Sequence, residues 1–164
     1  IGSRVFNGCF ALQQMQVEKD NLHYDSRENC NAIVNTKSNT LIAGCRNSRV
    51  PETVEQIGEY AFFNIRGLRS ITIPDRTVRI CHQAFDGCID LEEIIFGSGL
   101  THIESFAFHR YCVQAYWLTL QFVEKNEEFF WCSSQSLKSF LWFSQFLLNE
   151  SNIKLNNLTH NSSF

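Results

Sequence analysis

A repeat with a period of twenty-three positions constrains the fold of this chain more than any other feature of its sequence. Three segments spaced by this interval carry an Ala-Phe pair in register: Ile57–Phe62, Ile80–Phe85 and Ile103–Phe108. The stretch between them repeats as well, because Leu68-x-x-Ile71-x-Ile73 lies one period before Leu91-x-x-Ile94-x-Phe96. A unit of this length cannot bury its own apolar face and must stack on its neighbours. The sequence therefore predicts a solenoid of stacked coils.

Each coil is predicted to contain a short strand and a short helical turn. In the Leu-x-x-Ile-x-Ile stretch, alternation directs Ile71 and Ile73 inward and Ser70 and Thr72 outward. Equivalent strands are expected to form a parallel sheet. In the Ala-Phe stretch we expect a helical turn whose phenylalanines stack from coil to coil, while the small alanines allow the coils to approach closely. The Gly-Cys pairs that follow predict a turn out of this piece and a buried small side chain, at Gly8-Cys9 and Gly87-Cys88.

The N-terminal part of the chain repeats less regularly. Ile1–Phe6 and Leu12-x-x-Met15-x-Val17 have the internal spacing of a complete copy. However, the separation of Val17 from Val50 exceeds one period by ten positions, although Val50-Pro51 matches Ile73-Pro74. Apolar runs at 30–34 and 40–44 flank a polar loop, which predicts an inserted β-hairpin at 30–45.

Residues 68–87 resemble the BspA-like, or Treponema pallidum type, leucine-rich repeat, C-x-x-L-x-x-I-x-(I/L)-P-x-x-(V/L)-x-x-I-G-x-x-A-F-x-(G/N), with Cys81 in the place of a glycine. Residues 25–33 and 39–45 resemble a longer variant of this unit, and the resemblance covers residues 1–110. It implies a curved leucine-rich solenoid of about four coils, an α/β repeat fold with short parallel strands and helical turns. It also implies a bacterial protein that is extracellular or attached to the cell surface, with a role in protein binding or adhesion and no catalytic residues or cofactors.

A leucine-rich solenoid presents its outward strand positions as a concave face. The candidate binding face therefore consists of the outward residues of three strands and the charged residues beside them: Gln14, Gln16, Arg69, Ser70, Thr72, Glu92, Glu93 and Ile95. The expected partner is a protein or a host extracellular macromolecule. Because these positions hold few aromatic or arginine anchors, a structural spacer that carries another domain and binds nothing itself stays an alternative.

Charge and composition exclude several other functions. Fourteen basic and seventeen acidic residues give a net charge of −3, so nucleic acid is not expected as a partner. The sequence contains no run of eighteen apolar residues, so no transmembrane segment is expected in it. The sequence starts without Met and without a signal peptide, which leads us to expect a fragment of a longer protein. The seven cysteines lack CxxC spacing and are expected to be mostly buried free thiols.

Two groups of histidines and cysteines could suggest a cysteine nucleophile or a metal site. One is His82 with Cys81 and Cys88, and the other is His102, His109 and Cys112. Neither group has a third residue placed to orient a base, and Cys88 is explained by the repeat. We therefore predict no catalytic and no metal-binding residues.

The repeat pattern stops after Phe108. Residues 109–164 contain 12 of the 22 aromatic residues but no Gly or Pro. All 8 Gly and both Pro lie in residues 1–108. The atypical apolar tail at 111–164 has two interpretations. It could be a C-terminal cap with an apolar helix over 137–148, or a translation out of frame that begins near Arg110–Cys112. We favour the second, because the pattern is lost abruptly within a repeat.

Overall fold

The computed structural model of the chain describes residues 1–2 and 4–109, together with the backbone of residues 130–131. The described residues belong to one compact unit, Ile1–Cys132. The tail predicted at 111–164 lies outside them except for that short backbone segment, so the division of the chain at residue 110 stays a prediction. The strands are β1 (Tyr24–Asp25), β2 (Ala32–Asn35), β3 (Thr40–Gly44), β4 (Gln56–Ile57), β5 (Ser70–Ile73), β6 (Arg79–Ile80), β7 (Glu93–Phe96), β8 (His102–Ile103) and β9 (Phe130–Trp131).

These strands form two sheets whose register reproduces the period of the sequence. The larger sheet has the order β1-β2-β3-β4-β6-β8-β9, and the smaller sheet pairs β5 with β7. The pairs β1-β2 and β2-β3 are antiparallel, and all other pairs are parallel. In the smaller sheet, Ser70 lies opposite Glu93, and in the larger one Gln56 lies opposite Arg79. Both offsets equal one period, so the chain stacks one repeat on the next as a solenoid does.

Residues 57–79 and 80–102, one period each, are called the regular coils below. Their predicted strands, β5 and β7, and the parallel pairing of these strands are confirmed. In β5, Ile71 and Ile73 are buried in the main core, whereas Ser70 and Thr72 are exposed. Ile94 of β7 is likewise buried in this core. The alternation of the sequence is therefore the alternation of the two sides of the sheet.

The Ala-Phe segments form consecutive β-turns, so the prediction of short helical turns was wrong. The N–H of Phe63 bonds back to the carbonyl of Tyr60, but the N–H of Phe62 donates to the carbonyl of Ala84 in the next coil at 2.7 Å. Tyr60 has a φ of 59°, which a right-handed helix cannot accommodate. The same left-handed position recurs in the next two coils, at Gln83 (φ 51°) and Phe106 (φ 58°). The sequence pattern shows which side chains are buried but not the sign of φ.

The predicted stack of phenylalanines runs through the main core. The rings of Phe62 and Phe85 are 4.9 Å apart and nearly parallel, at 6°. Those of Phe85 and Phe108 are 5.2 Å apart at 4°. The alanine that precedes each ring is buried, which permits this spacing: Ala61, Ala84 and Ala107.

The predicted hairpin is confirmed at β2 and β3. Their register shifts between Ile33 and Val34, where the pairing is irregular. β3 also pairs in parallel with β4, so the hairpin joins the edge of the larger sheet. The insertion therefore extends the stack of coils at its N-terminal side.

Cys9 is exposed, which corrects the prediction that it is buried like Cys88. Cys88 is covered by the preceding coil, because its Sγ lies 2.8 Å from the carbonyl oxygen of Phe62. No described residue covers Cys9 in this way. Of the other described cysteines, Cys30 and Cys45 are buried as expected, and Cys81 is half-buried.

Candidate functional site

The eight residues of the predicted binding face are all exposed, but the structure divides them into three groups. Gln14 and Gln16 line one groove, Ser70 and Thr72 line a second, and the others lie outside both grooves. Cys30 and Asn31, which precede β2, are called the base of the hairpin below. This base separates the two grooves, because Cys30 lines one groove and Asn31 lines the other.

The outward surface of β5 and β7 is the most regular part of this face. The sheet register places Ser70 beside Glu93 and Thr72 beside Ile95. Ile95 is an apolar side chain with 53% of its surface exposed, among polar neighbours. Arg69 and Glu92 form an ion pair at 3.6 Å, with 77% and 68% of their side chains exposed. A pair so exposed contributes little to stability and leaves both charges accessible to a partner.

The first groove, of about 360 Å³, lies beside β5 and is called the β5 groove below. Its lining consists of the outer residues of β5, the base of the hairpin and the segment that joins them: Glu28, Cys30, Ser48, Arg49, Val50, Pro51, Glu52, Ser70, Ile71, Thr72 and Pro74. The β5 groove is therefore continuous with the predicted face, because Ser70 and Thr72 belong to both.

The β5 groove exists because the segment that precedes Pro51 bonds to the hairpin instead of to β5. At an offset of one period, residues 47–50 correspond to β5. The Ser48 hydroxyl accepts the N–H of Cys45 at 2.7 Å and donates to the carbonyl of Asn31. The N–H of Arg49 donates to the carbonyl of Cys30 at 2.9 Å. These bonds hold the segment away from the ladder, and the smaller sheet ends at β5.

The second groove, of about 400 Å³, lies on the other side of the hairpin base. It is lined mainly by carboxamides, together with one thioether and one hydroxyl: Gln13, Gln14, Met15, Gln16, Ser26, Asn29, Asn31 and Asn47. Carboxamides can donate and accept hydrogen bonds at the same time. This groove can therefore bind neutral polar groups.

The strand predicted around Met15 is absent from the structure, and side chains hold this segment in its place. The amide of Asn31 accepts the N–H of Met15 at 2.6 Å and donates to the carbonyl of Gln13 at 2.7 Å. The Ser26 hydroxyl accepts the N–H of Val17 at 3.0 Å. The hairpin thus supplies side-chain partners where a regular coil would supply a backbone ladder, which the repeat pattern could not predict.

The side chains of the first His-Cys group, His82 with Cys81 and Cys88, are engaged in packing and hydrogen bonds. Burial raises the pKa of the Cys81 thiol to about 11 and also raises that of Cys30. Both are thus protonated at neutral pH and are poor nucleophiles. His82 Nδ1 lies 2.9 Å from Ser105 Oγ, and its ring meets that of Phe106 edge-on. Among the described residues, no three His, Cys, Asp or Glu side chains are grouped to hold a metal ion. Cys112 of the second His-Cys group lies outside them.

A family model described as BspA type leucine rich repeat region matches residues 42–156 with six copies. The chain belongs to this family. The match to BspA-type repeats starts in β3, covers both regular coils and includes residues 111–156 of the tail. No curated protein and no solved structure matches the chain significantly. Leucine-rich repeats are protein-interaction modules and are generally non-catalytic. Within the described residues, no helix has the length and apolar character needed to cross a membrane.

The sequence predicts the strands β5 and β7 of this BspA-type repeat correctly, but it does not predict the two grooves. The excess of ten positions between Val17 and Val50 revealed the insertion. It did not reveal that Asn31 and Ser48 would take up backbone groups of the coils beside it, because such bonds depend on how the hairpin sits against the stack.

Proposed function

We propose that this chain is the binding part of a bacterial cell-surface protein and that it adheres to a protein or another extracellular macromolecule of a host. In this proposal the solenoid is curved, and the outward side of β5 and β7 lies on its concave surface. The partner contacts Arg69, Ser70, Thr72 and their neighbours on β7, with Gln14 and Gln16 at the far side of the hairpin base.

One observation carries the proposal. Ile95 is an exposed apolar residue on a strand whose neighbouring residue Ile94 is fixed in the core. A rigid strand holds its outward side chains in place before binding, so little conformational entropy is lost when a partner docks. An apolar side chain surrounded by Thr72 and accessible charges also fits the usual anatomy of an interface, with an apolar centre and a polar rim.

The polar character of the same face favours the spacer as a second candidate function. The outward residues Ser70, Thr72 and Glu93 are small or acidic, and binding hot spots are enriched in Trp, Tyr and Arg. A spacer would use the stacked coils only to hold another domain away from the cell.

Adhesion of protein-coated beads to cultured epithelial cells tests the proposal. Beads carrying the full chain are expected to bind, and Ile95→Asp is expected to reduce the number of bound beads about tenfold, because it places a charge at the centre of the contact. Val78→Asp is the matched control, since Val78 is also apolar and 43% exposed but lies outside the predicted face.

Circular dichroism would establish that both variants keep the fold. Equal loss in the two variants would contradict a site on β5 and β7. Beads that bind no better than uncoated ones would favour the spacer.

A further inference from the structure

The edge of β5 that faces the groove carries backbone groups without partners. Glu93 donates its N–H to the carbonyl of Arg69 at 3.0 Å, so the backbone groups of Arg69 point toward β7. The direction alternates along a parallel strand. The N–H and C=O groups of Ser70 and Thr72 therefore point away from β7, into the β5 groove that both residues line. No described residue forms a hydrogen bond with these four groups.

The groove has the size and position to receive a ligand at this edge. Its volume of about 360 Å³ lies within the range of about 300–1,000 Å³ that is typical of ligand pockets. Ser48 and Arg49, which occupy the position of a neighbouring strand, are bonded to the hairpin base and leave the edge open. An open strand edge is a template for pairing with another extended segment.

The charges around the groove indicate which segment fits. Glu28 and Glu52 line it and are exposed. The opposite charge in the lining is that of Arg49, whose guanidinium donates to the backbone carbonyl of Glu28 at 3.3 Å. The lining therefore has an excess of negative charge, which attracts basic side chains.

We propose that β5 binds an extended, basic peptide segment of the partner protein by strand addition in the β5 groove. The N–H and C=O groups of Ser70 and Thr72 form the ladder with the peptide backbone. Glu28 and Glu52 contact lysine or arginine side chains near the ends of the peptide. This inference rests on the proposed function, because it names the part of the partner that the binding module recognises.

Fluorescence anisotropy with a labelled synthetic peptide tests strand addition. The probe is acetyl-Lys-Thr-Val-Thr-Val-Thr-Lys-amide, and the protein is the full chain. Ser70→Pro removes the N–H that points into the groove but no bond to β7, and proline is tolerated at such an edge position. We expect Ser70→Pro to raise the dissociation constant about tenfold relative to Ser70→Ala, because both variants lack the hydroxyl and only the alanine variant keeps the backbone donor.

Changes in the peptide provide a second test in which the protein is unaltered, so that a folding defect of Ser70→Pro does not decide the result. N-methylation of alternate peptide residues is expected to abolish binding, because it removes the backbone donors of the ladder. Exchange of both lysines for glutamate is expected to weaken binding about tenfold.

Three results would overturn strand addition. They are no binding of the probe at about 1 mM, equal binding of the N-methylated peptide, and equal binding by folded Ser70→Pro and Ser70→Ala. If cell adhesion depends on Ile95 while any of these results is found, the proposed function stands and the inference about β5 is wrong. If adhesion fails but the peptide binds as expected, the proposed function is wrong and the strand addition at β5 stands.

Discussion

The regular coils and the N-terminal fifty residues carry related repeat patterns but are held together in different ways. In the regular coils, backbone groups of one coil bond to backbone groups of the next, as the N–H of Phe62 does with the carbonyl of Ala84. Around the hairpin, β3 still pairs with β4 through the backbone, but side chains of Asn31 and Ser48 bond to backbone groups of the segments that form no strand. Part of the N-terminal region also packs in a separate small cluster around Met15, outside the main core.

The difference shows that a repeat needs neighbours of equal shape before its backbone can form a ladder. Residues 47–50 and 13–17 both have the length for a strand, but each lies against the inserted hairpin and neither forms one. Polar side chains then form hydrogen bonds with some of the backbone N–H and C=O groups that would otherwise take part in a strand ladder. The grooves lie where this substitution occurs, so the irregular region provides the concave sites and the regular region provides the rigid face.

The largest expected effect distinguishes the two cores. Phe85 is buried between two parallel rings, so Phe85→Ala should lower the free energy of unfolding by about 3–5 kcal/mol. Phe6 is half-buried against the small N-terminal cluster, and Phe6→Ala should cost less than half as much. Urea denaturation followed by circular dichroism measures both. Equal costs would mean that the two regions are packed equally tightly.

A smaller effect tests the role of side chains in the irregular region. Ser48→Ala leaves the N–H of Cys45 without its partner in a buried place and should cost about 1–3 kcal/mol. Ser38→Ala, in the exposed loop of the same hairpin, should change stability by less than about 0.5 kcal/mol. The same denaturation experiment applies. A neutral Ser48→Ala would show that the hydroxyl does not hold the hairpin base.

The smallest effect concerns a contact between neighbouring regular coils. The N–H and hydroxyl of Ser98 donate to the Asp75 carboxylate at 2.7 and 3.1 Å and lower the pKa of this exposed carboxyl. The contribution of this contact to stability is therefore present above the pKa of the Asp75 carboxyl in the unfolded chain, which is about 4. It is lost as the pH falls through the lower pKa of the same carboxyl in the folded state.

Thermal unfolding between about pH 5 and pH 2 measures this contribution. The wild type should lose slightly more stability across the interval than Asp75→Asn, which has no carboxylate to protonate. Identical pH profiles would show that the contact between Asp75 and Ser98 contributes nothing in solution.

The sequence predicted those features that depend on burial and period. Ile71, Ile73 and the stacked phenylalanines follow from the spacing of apolar residues, and the hairpin follows from the length of the insertion. The turn at Tyr60 was predicted wrongly because its left-handed φ has no signal in a non-glycine residue. The β5 groove could not be predicted, because it results from bonds of Ser48 and Arg49 to residues of the hairpin that are far from them along the chain.

The bonds between coils also determine how the chain would respond to mechanical force. Each regular coil is attached to the next through turns and strands that recur once in every period of the sequence. A solenoid under tension can release its end coil while the next coil keeps its own contacts. Each released coil would lengthen the molecule by about 80 Å of extended chain. Such stepwise extension would absorb a pull gradually, as the adhesion proposed above would require.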